Sequence, residues 1–83
     1  MIPQRTKDSL DRYVNDKILP GGFLIKVLSN DLFGAVAQAD KENLAALPAI
    51  VFYIYNQLPG DSWGSRDQVY RFVEDKFYER VGS

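Results

Sequence analysis

Leu44-Ala45-Ala46-Leu47-Pro48-Ala49-Ile50-Val51-Phe52-Tyr53-Ile54-Tyr55-Asn56-Gln57-Leu58 is the stretch that decides the fold. Leu44, Leu47, Val51, Ile54 and Leu58 recur at spacings of three and four, the stripe of an amphipathic helix. Ile50, Phe52, Tyr53 and Tyr55 fill the remaining faces, and no formal charge occurs between Glu42 and Asp61. A helix that is apolar on most sides is one enclosed by its neighbours. This segment is therefore expected to be the longest helix and the hydrophobic centre, with Asp40 as its N-cap. Pro48 lacks a backbone N–H, so either the helix kinks there or a first turn ends and the main helix begins with Pro48 near its first position. The sequence leaves both open.

Working outward, Leu32 to Ala39 places Leu32, Val36 and Ala39 on one face of a third helix, preceded by the capping side chains of Ser29, Asn30 and Asp31. Phe23 to Leu28 is a short apolar run compatible with strand or helix. It is assigned to helix, because no second strand candidate exists and a lone strand is not stable. Thr6 to Ile18 sets Leu10, Tyr13, Val14 and Ile18 at helical spacing, with Thr6 as N-cap and Pro20-Gly21-Gly22 as the stop. On the other side, Leu58 to Ser62 is a turn by composition. Ser65 and Gln68 have capping-box spacing ahead of a last helix whose buried face is Val69, Phe72, Val73 and Phe77. Glu74 to Arg80 mixes charges at spacings of three and four, the pattern of a solvated face. The expectation is an all-α fold, a single-domain compact bundle of four or five helices over residues 1–83.

Composition narrows the function. With no cysteine and no histidine, the chain has no disulfide, no thiolate metal site, no cysteine nucleophile and not the commonest general base at neutral pH. Ten Lys and Arg against eleven Asp and Glu, scattered along the chain, do not make the basic stripe that phosphate backbones need. Nucleic-acid binding is not expected. Leu44 to Leu58 is too short to span a bilayer, and the start lacks the apolar core of a signal peptide. The expected location is cytoplasmic, with no membrane partner.

Three constellations remain. Asp31 and Asp40 are the acids set in apolar surroundings, and as a pair with separated pKa values they could serve a small carboxylate-dependent hydrolase. Both also stand where helix caps are expected, and capping alone explains an Asp there. No Asp-rich loop with regular spacing suggests a metal, and no cofactor is expected. Tyr53, Tyr55 and Trp63 are candidate stacking platforms, with Asn30, Asn43 and Asn56 as donors and acceptors, although aromatics at helical spacing are usually core. Asn56, Trp63 and Ser65 lie on a turn joining two apolar helices, where pockets commonly form. Finally, a chain this small buries only about 60% of its unfolded surface. The remaining face of the central helix is a candidate for burial against a second copy.

Pro20-Gly21-Gly22-Phe23-Leu24, Asn30-Asp31-Leu32, Ala39-Asp40 with Asn43, Ile50-Val51 through Tyr55-Asn56, and Trp63-Gly64-Ser65 together resemble a family of short phage- and prophage-encoded proteins. The resemblance spans roughly residues 18 to 73. Family-like sequences place a tryptophan in the last helix where this chain has Phe72. The resemblance implies a protein that acts in the cytoplasm of a host bacterium. The functional expectation is a non-enzymatic phage accessory protein, a counter-defence protein that binds and sequesters a nucleotide-like signalling molecule. The ligand-binding residues would be Asn30, Asp31, Asp40, Asn43, Tyr55, Asn56, Trp63 and Ser65. The alternatives are an inhibitor that binds a host protein through an exposed apolar or aromatic face, and the hydrolase. A homo-oligomer is expected in each case.

Overall fold

A computed structural model describes the backbone of residues 1–82 and the side chains through Glu74. It is the expected all-α bundle: α1 (Gln4–Asp16), α2 (Gly22–Leu28), α3 (Leu32–Gln38), α4 (Lys41–Ala45), α5 (Leu47–Gln57) and α6 (Arg66–Gly82), with a 3-10 turn at Gly60–Ser62. No strand occurs among the described residues. No described helix is long and apolar enough to cross a membrane. Phe77 and most of the charged Glu74 to Arg80 segment lie outside the described side chains; Glu74 itself is exposed.

The core draws on all the larger elements. Leu10 and Tyr13 of α1, Leu24 and Leu28 of α2, Ala46, Ile50 and Ile54 around α5, and Val69 and Phe72 of α6 form one buried cluster. Tyr13 and Phe72 meet at 5.0 Å between ring centroids. The Tyr13 hydroxyl donates to the Ser62 carbonyl at 2.6 Å, and the Gly64 N–H donates to the Leu28 carbonyl at 2.8 Å. These two bonds fasten the turn before α6 to α1 and α2, which fixes the position of Trp63.

Several expectations are corrected. At Pro48 the second of the two alternatives holds: α4 ends at Ala45, and α5 starts at Leu47 with Pro48 in its first turn. There the missing N–H would have no partner in any case. The longest helix is consequently α6, with 17 residues against 11 for α5. The α5 segment is also not enclosed, because Val51, Phe52 and Tyr55 are exposed. They share one side of α5 at spacings of three and four.

On α3 the buried residue is Ala35, while Leu32 and Val36 face outward. Helix α3 meets α2 where Gly34 lies beside the Lys26 side chain and Gln38 beside Gly22. Thr6 is not an N-cap. The α1 helix begins earlier, behind Pro3, whose carbonyl accepts from the N–H groups of Thr6 and Lys7. The Thr6 hydroxyl is buried and donates instead to Asn43 Oδ1 at 2.7 Å. Helix α1 stops before Ile18, because Lys17 takes a left-handed conformation at φ 58°, and Ile18 is exposed.

Candidate functional site

The α2–α3 corner is built by local hydrogen bonds. Asn30 sits at φ 62°, its N–H donating to Val27 O at 3.1 Å, and the Asp31 N–H donates to Lys26 O at 2.9 Å. This pair of bonds closes a helix through a left-handed residue, and asparagine is the residue after glycine that accepts that conformation most readily. Asp31 then caps α3 by accepting the Gly34 N–H at 2.9 Å, and Lys26 Nζ approaches its other carboxylate oxygen at 3.6 Å.

This corner forms one wall of an open pocket of about 150 Å³. Val27, Leu28, Asn30 and Asp31 line it from α2 and the corner, Leu32 and Ala35 from α3, Leu47, Val51, Ile54 and Tyr55 from α5, and Trp63 from the turn before α6. The Tyr55 and Trp63 rings stand 5.8 Å apart and tilted by 51°. They make a corner between them, not a parallel slot for a sandwiched base. The Trp63 indole N–H is buried without an acceptor among the described residues. A second, roomier hollow of about 320 Å³ shares Asp31 with the first and is bordered by Gly22, Ile25, Lys26, Ser29 and Arg66.

Of the eight residues expected to bind a ligand, Asn30, Asp31, Tyr55 and Trp63 meet at the pocket. The other four do not line it. Asp40 caps α4 by accepting the Asn43 N–H at 2.8 Å and forms an ion pair with Arg5. That backbone donor, with Arg5 beside it, holds its carboxyl below the usual range. Asn43 is buried against α1 through Thr6. Asn56 is exposed and donates to the carbonyl of Phe52 one turn back at 2.9 Å. Ser65 caps α6 by accepting the Gln68 N–H at 3.1 Å, while the Gln68 side chain donates to Asp61 O and does not complete the capping box.

The physical reason for the split is that polar residues at fixed offsets before helices serve first to satisfy orphan N–H groups. Asp31 and Asp40 share no cleft: Asp31 lines the pocket and Asp40 belongs to the α1–α4 contact. The described residues contain no group of three or more His, Cys, Asp or Glu placed to hold a metal. Two hydroxyls are shifted for structural reasons. Burial, reinforced by Asp61, raises Tyr13, and partial burial with Asp11 nearby raises Tyr53.

Comparison with family models, curated proteins and solved structures finds no match to this chain.

The pocket residues that sequence reasoning missed are the apolar ones, Leu32, Leu47 and Val51 above all. For Leu47 and Val51 the signal was present in the uncharged run from Asn43 to Gly60, which carries apolar residues on most faces of a helix in a chain too small to cover them all. On the pocket lining Tyr55 is 68% and Leu32 61% exposed, and Phe33, 87% exposed, and Phe52, 69% exposed, each adjoin a lining residue in sequence. An exposed leucine is ordinary, whereas clustered exposed aromatics beside an apolar hollow mark an interaction surface.

Proposed function

We propose that this protein is a binding module whose α3–α5 face docks a protein partner, with one aromatic or branched aliphatic side chain of that partner seated in the pocket between Leu32, Val51, Tyr55 and Trp63. The observation that carries this reading is the size and character of the hollow. At about 150 Å³ and with mostly apolar walls, it accommodates one benzene-sized ring, since apolar cavities of about that volume are known to take such a ligand. It is small beside the roughly 300–1,000 Å³ of pockets that enclose whole small molecules. Anchors of this kind, buried centrally and surrounded by apolar contacts that exclude water, dominate the energetics of protein interfaces. The proposed partner is a protein of a host bacterium, as the resemblance to phage-encoded proteins implies, and the proposed mechanism is inhibition by occupancy.

A second reading is favoured by one specific feature. Asp31 borders both the apolar pocket and the hollow with Lys26, Ser29 and Arg66. A nucleotide-like molecule would place its base against Trp63, with Asn30 and Asp31 at its edge and its phosphate toward the two cations. The Asp31 carboxylate between the two hollows repels that phosphate, which ranks this reading second.

Trp63 is the sole tryptophan and lines the pocket, so its fluorescence reports occupancy directly. Dilute protein is titrated with toluene, N-acetyl-phenylalaninamide and adenosine monophosphate. Saturable change with the first two, lost in Leu32→Glu, supports side-chain docking. Because Leu32 is 61% exposed at the start of α3, a glutamate there should alter stability by no more than about 0.5 kcal/mol. Saturation by the nucleotide alone would overturn the docking reading in favour of the second.

A further inference from the structure

The exposed apolar face carries one large side chain that the protein's own packing does not use. Phe33 is 87% exposed and follows Leu32, which lines the pocket, directly in sequence. Leu32 and Val36, and likewise Phe33 and Val36, are one helical turn apart on α3, so the three form a ridge on its outer side. The face thus holds a hole that takes one ring and, a residue from its rim, a ring with nothing around it.

A surface that carries both a knob and a matching hole is complementary to itself. In a two-fold dimer the same patch is used by both copies, so the knob of each meets the hole of the other, with the axis passing between knob and hole. We propose that the α3–α5 face docks a second copy of this chain, Phe33 of each protomer entering the pocket between Leu32, Val51, Tyr55 and Trp63 of its partner. The proposal rests on reading this face as a docking surface and names the occupant that fills it when no other protein is bound.

Three further observations fit. The first is size: a phenylalanine ring matches a hollow of about 150 Å³, the volume at which a benzene-sized guest is held. The second is area. Phe33, Phe52 and Tyr55, each more than two thirds exposed, leave on the order of 450 Å² of aromatic surface at roughly 200 Å² per ring side chain. A standard interface takes about 800 Å² from each partner, and the exposed Leu32, Val36 and Val51 of α3 and α5 extend this patch toward that range. The third is charge. The chain carries a net charge of only −1, so two copies repel one another little. Asp31 is the only carboxylate among the described residues that line the pocket, and Lys26 of the same chain already lies 3.6 Å from it.

The test is a dilution series followed by sedimentation velocity and Trp63 emission together, for the wild type and for Phe33→Ser. A residue this exposed contributes little to the folded monomer, and circular dichroism checks that the variant stays helical. The expected result is a wild-type dimer whose dissociation changes the Trp63 emission along the same isotherm, and a dimer weakened about thirtyfold or more in Phe33→Ser, the range of an interface anchor. A wild type that is monomeric throughout, or a dimer whose dissociation Phe33→Ser leaves unchanged, would overturn the proposal. Toluene titration of the Phe33→Ser monomer separates the two levels. If the wild type is monomeric and toluene binds, the second-copy proposal fails while the docking surface stands; if toluene does not bind either, both fail.

Discussion

Replacing Tyr13 with phenylalanine removes a single oxygen, and the structure says what that oxygen does at two pH values. The hydroxyl is fully buried and donates to the Ser62 carbonyl at 2.6 Å. Without it the carbonyl has lost its donor in the interior, which costs about 1–2 kcal/mol at neutral pH. For a domain of this size that is a fall in Tm of roughly 4–8 °C per kcal/mol. Ionisation adds a second effect. Burial, with Asp61 adding to it, raises the Tyr13 hydroxyl above its ordinary value of 10.0. A raised folded pKa stabilises the native state fully below the unfolded pKa, and that contribution is lost as pH rises from about 10 toward the folded value. One blocked proton is worth about 1.4 kcal/mol per pH unit in that window. Tyr13→Phe lacks this proton and escapes the alkaline loss. Urea unfolding followed by circular dichroism at pH 7, 9, 10 and 11 should therefore show the variant less stable at pH 7 and the gap closing toward pH 11. A gap that is constant across the series would refute the reasoning, because Tyr13 would then ionise as freely in the fold as outside it.

Two other substitutions probe the α1–α4 contact. Thr6→Val keeps the shape but leaves Asn43 Oδ1, now accepting at 2.7 Å, without its buried donor, and should lower stability by about 1–2 kcal/mol in chemical denaturation. Asp40→Asn should be nearly neutral at pH 7, since asparagine also caps helices well. Asp40 is held below its ordinary value by the Asn43 N–H and Arg5, so its contribution is present above about pH 4 and is lost as pH falls through the folded value. The acid limb of an unfolding profile should accordingly be shallower in Asp40→Asn; identical acid limbs would contradict the cap.

The division between what was and was not legible follows the range of the interactions. Asp31 and Ser65 were readable as caps, because a cap is satisfied within three residues of sequence. The same locality bears on the site assignment: Asp40, Asn43, Asn56 and Ser65 have the residue types of a binding site, and their hydrogen bonds go to α1 or to the adjacent turn. Asn30 illustrates the overlap. It lines the pocket, and it is also the left-handed residue that closes α2, so its presence is accounted for without any ligand. Thr6 was misread for the opposite reason. Its hydroxyl partner lies 37 positions away, and no local pattern announces such a bond.

By itself the sequence determined the helical class, the absence of cysteine and histidine chemistry, and the order of the elements, because periodicity, Pro and Gly punctuation and composition act over a few residues. Only the tertiary structure decided which side of each helix faces water. The uncharged run from Asn43 to Gly60 is apolar on most faces, so no periodicity distinguishes its buried Ile50 and Ile54 from its exposed Phe52 and Tyr55. That choice was made by the neighbours: residues of α1, α2 and α6 form one buried cluster with Ile50 and Ile54 of α5, while α3 packs on α2 and leaves Val51, Phe52 and Tyr55 open. The pocket and the apolar face around it are a consequence of that shortage of cover.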